Sequence, residues 1–232
     1  MSLSLYLKHS SHRFYGAVTA LVMLVLYEIF IVWELPSGSV VRNAPEAWFR
    51  TVLNLLGMSY YHISFLMIGA SLIAIPVFYR STVVVQKRIV VWIVVESIFW
   101  GMVSGFIIQL VVANLFFMAA PVAGSVIRDL GLAIGAGLFE ELFFRVILTT
   151  LLFRAGMRVF RKRWVSMLCA ILTASLLFSL AHYVGSVGDS VELYSFLFRF
   201  FAGIWFTTLY SIRGFSVVCL THAFYDVFVL LF

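Results

Sequence analysis

Six consecutive residues, Glu140-Glu141-Leu142-Phe143-Phe144-Arg145, set two carboxylates and a guanidinium inside an apolar stretch covering roughly residues 127–153. Farther along, Phe178 and His182 stand four residues apart, as do His222 and Asp226. Residues four apart share a helix face, so Glu141 can pair with Arg145, His182 sits one turn beyond Phe178, and His222 and Asp226 address the same volume. Glu140 lies about 100° round the axis from its neighbour and is free to face a different space. Carboxylates and imidazoles in one place are the groups of acid–base hydrolysis, and equally those of a metal centre. An ionisable group at the middle of a membrane-spanning helix costs about 2.5–3.5 kcal/mol, so this concentration points to function.

The elements that hold these groups are apolar helices. Over 232 residues the chain is 63% hydrophobic and only 11% charged, with a mean hydropathy of +1.08. A soluble domain carries about 25% charged residues, so the composition excludes that class and predicts an all-α, polytopic membrane helix bundle. Seven apolar runs are each close to or above the ~20 residues that cross the hydrocarbon: 14–33, 59–79, 89–118, 127–153, 165–184, 191–211 and 215–232. Residues 46–58 are the alternative to a further crossing, a helix lying at the surface. The chain reads as one domain, 1–232, with its motif-bearing core at 127–232.

The formal charge of +6 does not mark a nucleic-acid partner, because the cations fall in the short connections between apolar runs. The partner they imply is the lipid bilayer. With a cytoplasmic amino terminus, Lys8, Arg13, Arg80, Lys87, Arg88, Arg154, Arg158, Arg161, Lys162, Arg163 and Arg213 all lie inside, against Arg42, Arg50 and Arg128 outside. That bias predicts a multi-pass protein of the plasma membrane with its amino terminus in the cytoplasm. The first apolar run is longer than a typical signal core and is followed by no small-x-small cleavage site, so it reads as a signal anchor. Cys169 and Cys219 fall in apolar runs without a CxxC and read as small hydrophobes.

Other buried polar groups need partners. Arg199 is expected to meet a carboxylate of the first motif or one on a substrate. Glu96 belongs either to the cavity or to helix pairing, while Glu28 and His62 read as structural. Gly131 and Gly135 form a small-xxx-small face, with Gly137 beside Glu140, where another helix can approach closely. Counting about 1.5 Å per residue, Glu140 lies roughly 20 Å from either membrane face, His222 about 11 Å and His182 about 26 Å from the cytoplasmic one. Straight upright helices would not bring the three to one level.

The polar groups admit more than one chemistry. Glu140, His182, His222 and Asp226 could form a zinc site of two imidazoles and a carboxylate with an open position for water. No HExxH accompanies them, so nothing in the spacing is specific to metal. A reading of another class is a non-catalytic immunity or scaffold protein, or a transporter using the same acids and imidazoles. A transporter would be expected to show matching halves with broken helices, and no such repeat is visible.

In order, the three motifs read EExxxR, FxxxH and HxxxD, which resembles the signature of the CPBP family, the CAAX-protease and bacteriocin-processing membrane proteins that include the type II CAAX prenyl endopeptidases. The resemblance covers about residues 127–232. It implies an intramembrane endopeptidase in which Glu140 activates a water, His182 holds and polarises it, and His222 with residue 226 stabilises the oxyanion, with no cofactor. Glu141 and Arg145 become a supporting ion pair and Phe178 the pocket floor. Implied substrates are membrane-embedded or lipidated peptides and protein termini, prenylated CAAX ends among them. The family's better-known form ends HxxxN. An Asn always offers a donor, whereas Asp donates only when protonated, so Asp226 is expected either to be neutral or to orient the His222 ring.

Overall fold

The computed structural model describes residues 2–34, 44–58, 60–78, 85–113, 126–184 and 188–231, and these form helices and connections with no strand among them. Arg42 and Arg80 of the charge count, and residues 114–118 of the third run, lie outside the described residues. In chain order the helices are α1 (Leu3–Ser10), α2 (Arg13–Glu34), α3 (Ala44–Leu55), α4 (Tyr60–Phe78), α5 (Lys87–Ala113) and α6 (Val126–Gly135). A π-helical segment (Ala136–Thr149) follows, then α7 (Thr150–Phe160), α8 (Arg163–Ala181), α9 (Leu193–Arg213) and α10 (Phe215–Leu231).

Four of these helices are long and apolar enough to cross a membrane: Arg13–Ile31, Lys87–Ile108, Arg163–Ala181 and Leu193–Arg213. Shorter apolar helices run over His62–Ile73 and Phe215–Val229. The protein is a multi-pass helical membrane protein. Its outer faces agree: Leu168, Leu172, Leu176 and Leu180 form an exposed stripe at four-residue spacing along α8, and Val95, Phe99, Met102, Phe106 and Leu110 form one at spacings of three and four along α5. Apolar side chains turned outward at helical period are what a lipid solvent requires.

α10 stands at the centre. Val217, Val218 and Cys219 are fully buried, and the helix packs against α2, α5, α6, α9 and the π-helical segment. One side of this core joins Met23, Leu24, Tyr27 and Ile31 of α2 to Leu138 and Phe139; the other joins Phe206 and Leu209 of α9 to Val218 and Tyr225. Cys219 is one of these packed residues, as a small hydrophobe would be.

Charges inside the bundle are neutralised in pairs. Arg213 at the end of α9 grips both oxygens of Glu96 at 2.5 and 2.7 Å and reaches Ser10 at 2.9 Å, while Tyr6 donates to the same carboxylate. Glu96 is therefore a helix-pairing residue, away from Glu140. Arg50, placed near the outer face by the charge count, is fully buried between Glu46 and Glu28. Tyr27 and Ser64 complete that cluster, donating to Glu46 at 2.5 Å and to Glu28 at 2.8 Å. These contacts tie α3 to α2 and α4 with its charged side chains turned inward. Desolvated carboxylates without such partners would cost several kcal/mol each.

Candidate active site

Glu140 and Glu141 lie on the π-helical segment, which continues α6 and runs into α7 as one rod from Val126 to Phe160. Such a rod is about 50 Å long at ~1.5 Å per residue, well beyond the ~30 Å of hydrocarbon, so counting from its ends does not fix the depth of Glu140. Thr149 Oγ1 donates to the carbonyl of Phe144 at 2.7 Å, five residues back, in keeping with the wider turn. Departures of this kind from α-geometry are frequent at functional sites.

Close helix approach brings the other groups in. A Cβ on Gly137 would stand 2.5 Å from the carbonyl oxygen of Cys219 and 2.9 Å from Ala223 Cβ, so only glycine lets α10 come this near. On the far side Gly203 of α9 faces Ser175 of α8, where a Cβ would meet Ser175 Cα at 3.0 Å. His182 caps α8, and its ring folds back toward the start of the helix, Nδ1–H donating to the carbonyl of Phe178 at 2.9 Å. The ring lies edge-on to Phe178 with centroids 4.9 Å apart. That fold-back lowers the imidazole by about one helix turn and closes part of the expected difference in depth.

The result is one polar centre. Glu140 Oε1 lies 4.0 Å from Nε2 of His182, and Glu140 Oε2 lies 4.0 Å from Nε2 of His222. The carboxylate therefore stands between the two imidazoles. Because carbonyls only accept, Nδ1 of His182 carries its proton, and in the neutral ring Nε2 presents a lone pair to Glu140. His222 Nδ1–H donates to Glu141 Oε1 at 2.6 Å, and its Nε2 is 3.6 Å from Asp226 Oδ2. The carboxylate that orients the His222 ring is thus Glu141, whereas Asp226 sits beyond hydrogen-bond reach on the other nitrogen.

Glu141 and Arg145 are both fully buried and form an ion pair, Nη1 to Oε1 at 3.1 Å. The guanidinium N–H groups make no well-formed hydrogen bond; the cation instead lies over the rings of Phe178 at 4.4 Å and Phe206 at 5.8 Å. Phe206 also stacks flat on His222, with centroids 4.5 Å apart and planes inclined by 14°. Phe178 meets Arg145 and His182 together and so forms a wall of the centre. Nothing marked Phe206 in the sequence, where it is one aromatic among many between Phe198 and Tyr210.

Glu140 and Asp226 open on a cavity of about 300 Å³ whose other walls are Asp129, Leu132, Ala133, Ala136 and Val229. That is the low end of the range for ligand pockets. Arg199 is elsewhere. It pairs with Asp189 and lies over the Tyr183 ring at 5.4 Å, so neither carboxylate of the first motif is its partner. Among the described residues no group of three or more His, Cys, Asp or Glu has the spacing of a formed metal site.

Fold and centre together define a multi-pass membrane protein in which one helical rod carries a buried carboxylate between two imidazoles from other helices. The family model described as type II CAAX prenyl endopeptidase Rce1-like matches residues 123–228, the segment that bears all three motifs. No curated protein and no solved structure matches the chain.

Proposed function

We propose that the protein is an intramembrane endopeptidase that hydrolyses a peptide bond of a membrane-embedded or lipidated substrate with a water activated by Glu140. The observation that carries this reading is the 4.0 Å separation of each Glu140 oxygen from an imidazole Nε2. Such gaps are too long for a direct hydrogen bond and suit one bridging water each. A water between Glu140 and His182 would give one proton to each acceptor, leaving an oxygen lone pair for the substrate carbonyl carbon.

As the C–O bond forms, Glu140 takes the water's proton and the carbonyl π pair moves onto oxygen. His222 stabilises that oxyanion from Nε2 when the ring is doubly protonated, with Nδ1–H held by Glu141. The proton on Glu140 then passes to the departing amine nitrogen as the C–N bond breaks. Buried donors and bases act with most effect where water is scarce. The cavity beside Glu140 and Asp226 is the place for the substrate chain, and prenylated CAAX ends are one substrate class that fits. Seven crossings with a cytoplasmic amino terminus, in the plasma membrane, complete the reading.

Zinc is the second reading, and one observation favours it. Both imidazoles have Nδ1 engaged, on a carbonyl and on a carboxylate, as metal-binding histidines commonly do. His182, His222 and either Glu140 or Asp226 would hold the ion, which would acidify a bound water and polarise the carbonyl. Tetrahedral bonds of about 2.05 Å place donors about 3.4 Å apart, closer than the 4.0 Å found here. The deciding experiment is cleavage of a membrane-reconstituted peptide library by purified wild type and Glu140→Gln, with and without chelator. Loss in the variant with chelator-resistant wild type supports the glutamate; chelator loss restored by zinc supports metal; no cleavage by wild type would turn the reading toward an immunity, scaffold or transport role.

A further inference from the structure

The turn that follows His182 is fastened from outside the candidate centre. Where α8 ends, its last carbonyls all find donors: Phe178 from the His182 ring, Ser179 from the His182 amide at 3.3 Å, Leu180 from Tyr183 at 3.0 Å and Ala181 from Val184 at 3.3 Å. The carbonyl of His182 itself accepts from the amide of Asp189 at 3.0 Å. The Asp189 carboxylate is in turn paired with Nη2 of Arg199, and the same guanidinium covers the ring of Tyr183, the residue next to His182. Arg199 rises from the second turn of α9, and Ser179 Oγ ties the two helices one turn below by donating to the Phe196 carbonyl at 2.7 Å.

The geometry points to Arg199 and Asp189 as a positioning pair for His182, an inference that rests on the peptidase reading above. A residue at a helix end has neither the following turn nor a full set of i→i+4 bonds to fix it, and helix ends fray. His182 must nevertheless hold Nε2 at one distance from Glu140 while its ring is anchored only to its own helix. Locking the backbone of His182 through Asp189, and Asp189 through a cation on the neighbouring helix, removes the movement that would widen the gap. A shift of about 1 Å in a group that orients the attacking water is worth up to about a hundredfold in rate. Arg199 is thereby given a role within the fold, where its cost near the membrane would otherwise demand a ligand.

The test compares Arg199→Gln, Asp189→Asn, Arg199→Lys and the exchange variant Arg199→Asp/Asp189→Arg with wild type in reconstituted vesicles. The expected result is a fall in kcat of about tenfold to a hundredfold for the two neutral variants with KM little changed, partial recovery in Arg199→Lys and in the exchange, and less than about twofold further loss when Arg199→Gln is added to His182→Ala. An undiminished loss in the His182→Ala background would overturn the inference, because the pair would then act on general stability. A rise in KM that disappears on substrates with an amidated carboxyl terminus would overturn it too, assigning Arg199, whose Nη1 is buried without a hydrogen bond, to a substrate carboxylate. Should wild type cleave nothing, the peptidase reading fails, and the pair is judged by the rate at which diethyl pyrocarbonate modifies His182. Faster modification in Arg199→Gln than in wild type upholds the positioning role, and an unchanged rate ends it.

Discussion

His222 Nδ1–H donates a hydrogen bond to Glu141, 2.6 Å away on the π-helical segment, and not to Asp226 one turn along its own helix. One carboxylate thus receives both the imidazole and, at 3.1 Å, the Arg145 guanidinium. Asp226 is left beside Nε2, lining the cavity together with Glu140.

That arrangement separates the effects of two conservative changes. Asp226→Asn keeps the side chain's shape and supplies a permanent donor near the proposed oxyanion, so the variant is expected to fold and to retain or raise kcat. Glu141→Gln strips a buried cation and an imidazole of their shared anion and is expected to cost about 3–5 kcal/mol of stability. Thermal unfolding in detergent alongside peptidase assays reads both. A stable, fully active Glu141→Gln protein would contradict the role given to that residue.

Glu140→Gln tests the proposed base. The amide is isosteric and the side chain touches no ion-pair partner closer than 4.0 Å, so folding is expected to be unchanged while kcat drops by about 10²–10⁴-fold. Replacing His222 by Gln should cost about 10²–10³-fold through the lost oxyanion donor. Initial rates on one peptide, with circular dichroism as the control for folding, give both figures.

Phe206 joins the two halves of the centre, lying flat on His222 and near the Arg145 cation. Phe206→Leu keeps most of the apolar volume but removes the ring face, so we expect a loss of roughly 0.5–2 kcal/mol of stability from the missing stacking and cation–π terms. The His222 ring then has freedom to tilt, and kcat should fall while substrate affinity holds. Equal activity and stability in Phe206→Leu would reduce the ring to packing.

Much of this was legible in the sequence because hydropathy and four-residue spacing report what happens along a single helix. Each of the seven apolar runs overlaps a helix in the described residues, four of them long and apolar enough to cross a membrane, and Glu141 with Arg145 lie at ion-pair distance as their spacing allowed. What spacing does not report is which helix lies opposite. The partner of His222 is on the π-helical segment, and that of Arg199 lies in the turn before α9; both depend on packing between elements distant in sequence. The π-helical turn itself leaves no period in the apolar pattern, since Glu140 and Glu141 look the same in either helix form. Arg50 illustrates the same limit: its place in the sequence does not reveal that Glu28 and Glu46 enclose it.

Gly137 supplies the most direct check on the packing that assembles the site. Alanine has a helix propensity better than glycine's by about 1 kcal/mol, so by local preference Gly137→Ala would stabilise the rod. The added methyl, however, would stand 2.5 Å from the Cys219 carbonyl oxygen, a backbone atom of the central helix that has no side-chain freedom to yield. Forcing α10 outward is expected to cost about 1–3 kcal/mol and to carry His222, three residues beyond Cys219, away from Glu140. Gly69 on α4 is the matched control, because a Cβ there meets nothing within 4 Å. Gly69→Ala should therefore leave the unfolding temperature and cleavage rate at or above the wild-type values, while Gly137→Ala lowers both; a Gly137→Ala protein as stable and active as Gly69→Ala would show that the close contact between the rod and α10 does not set the position of His222.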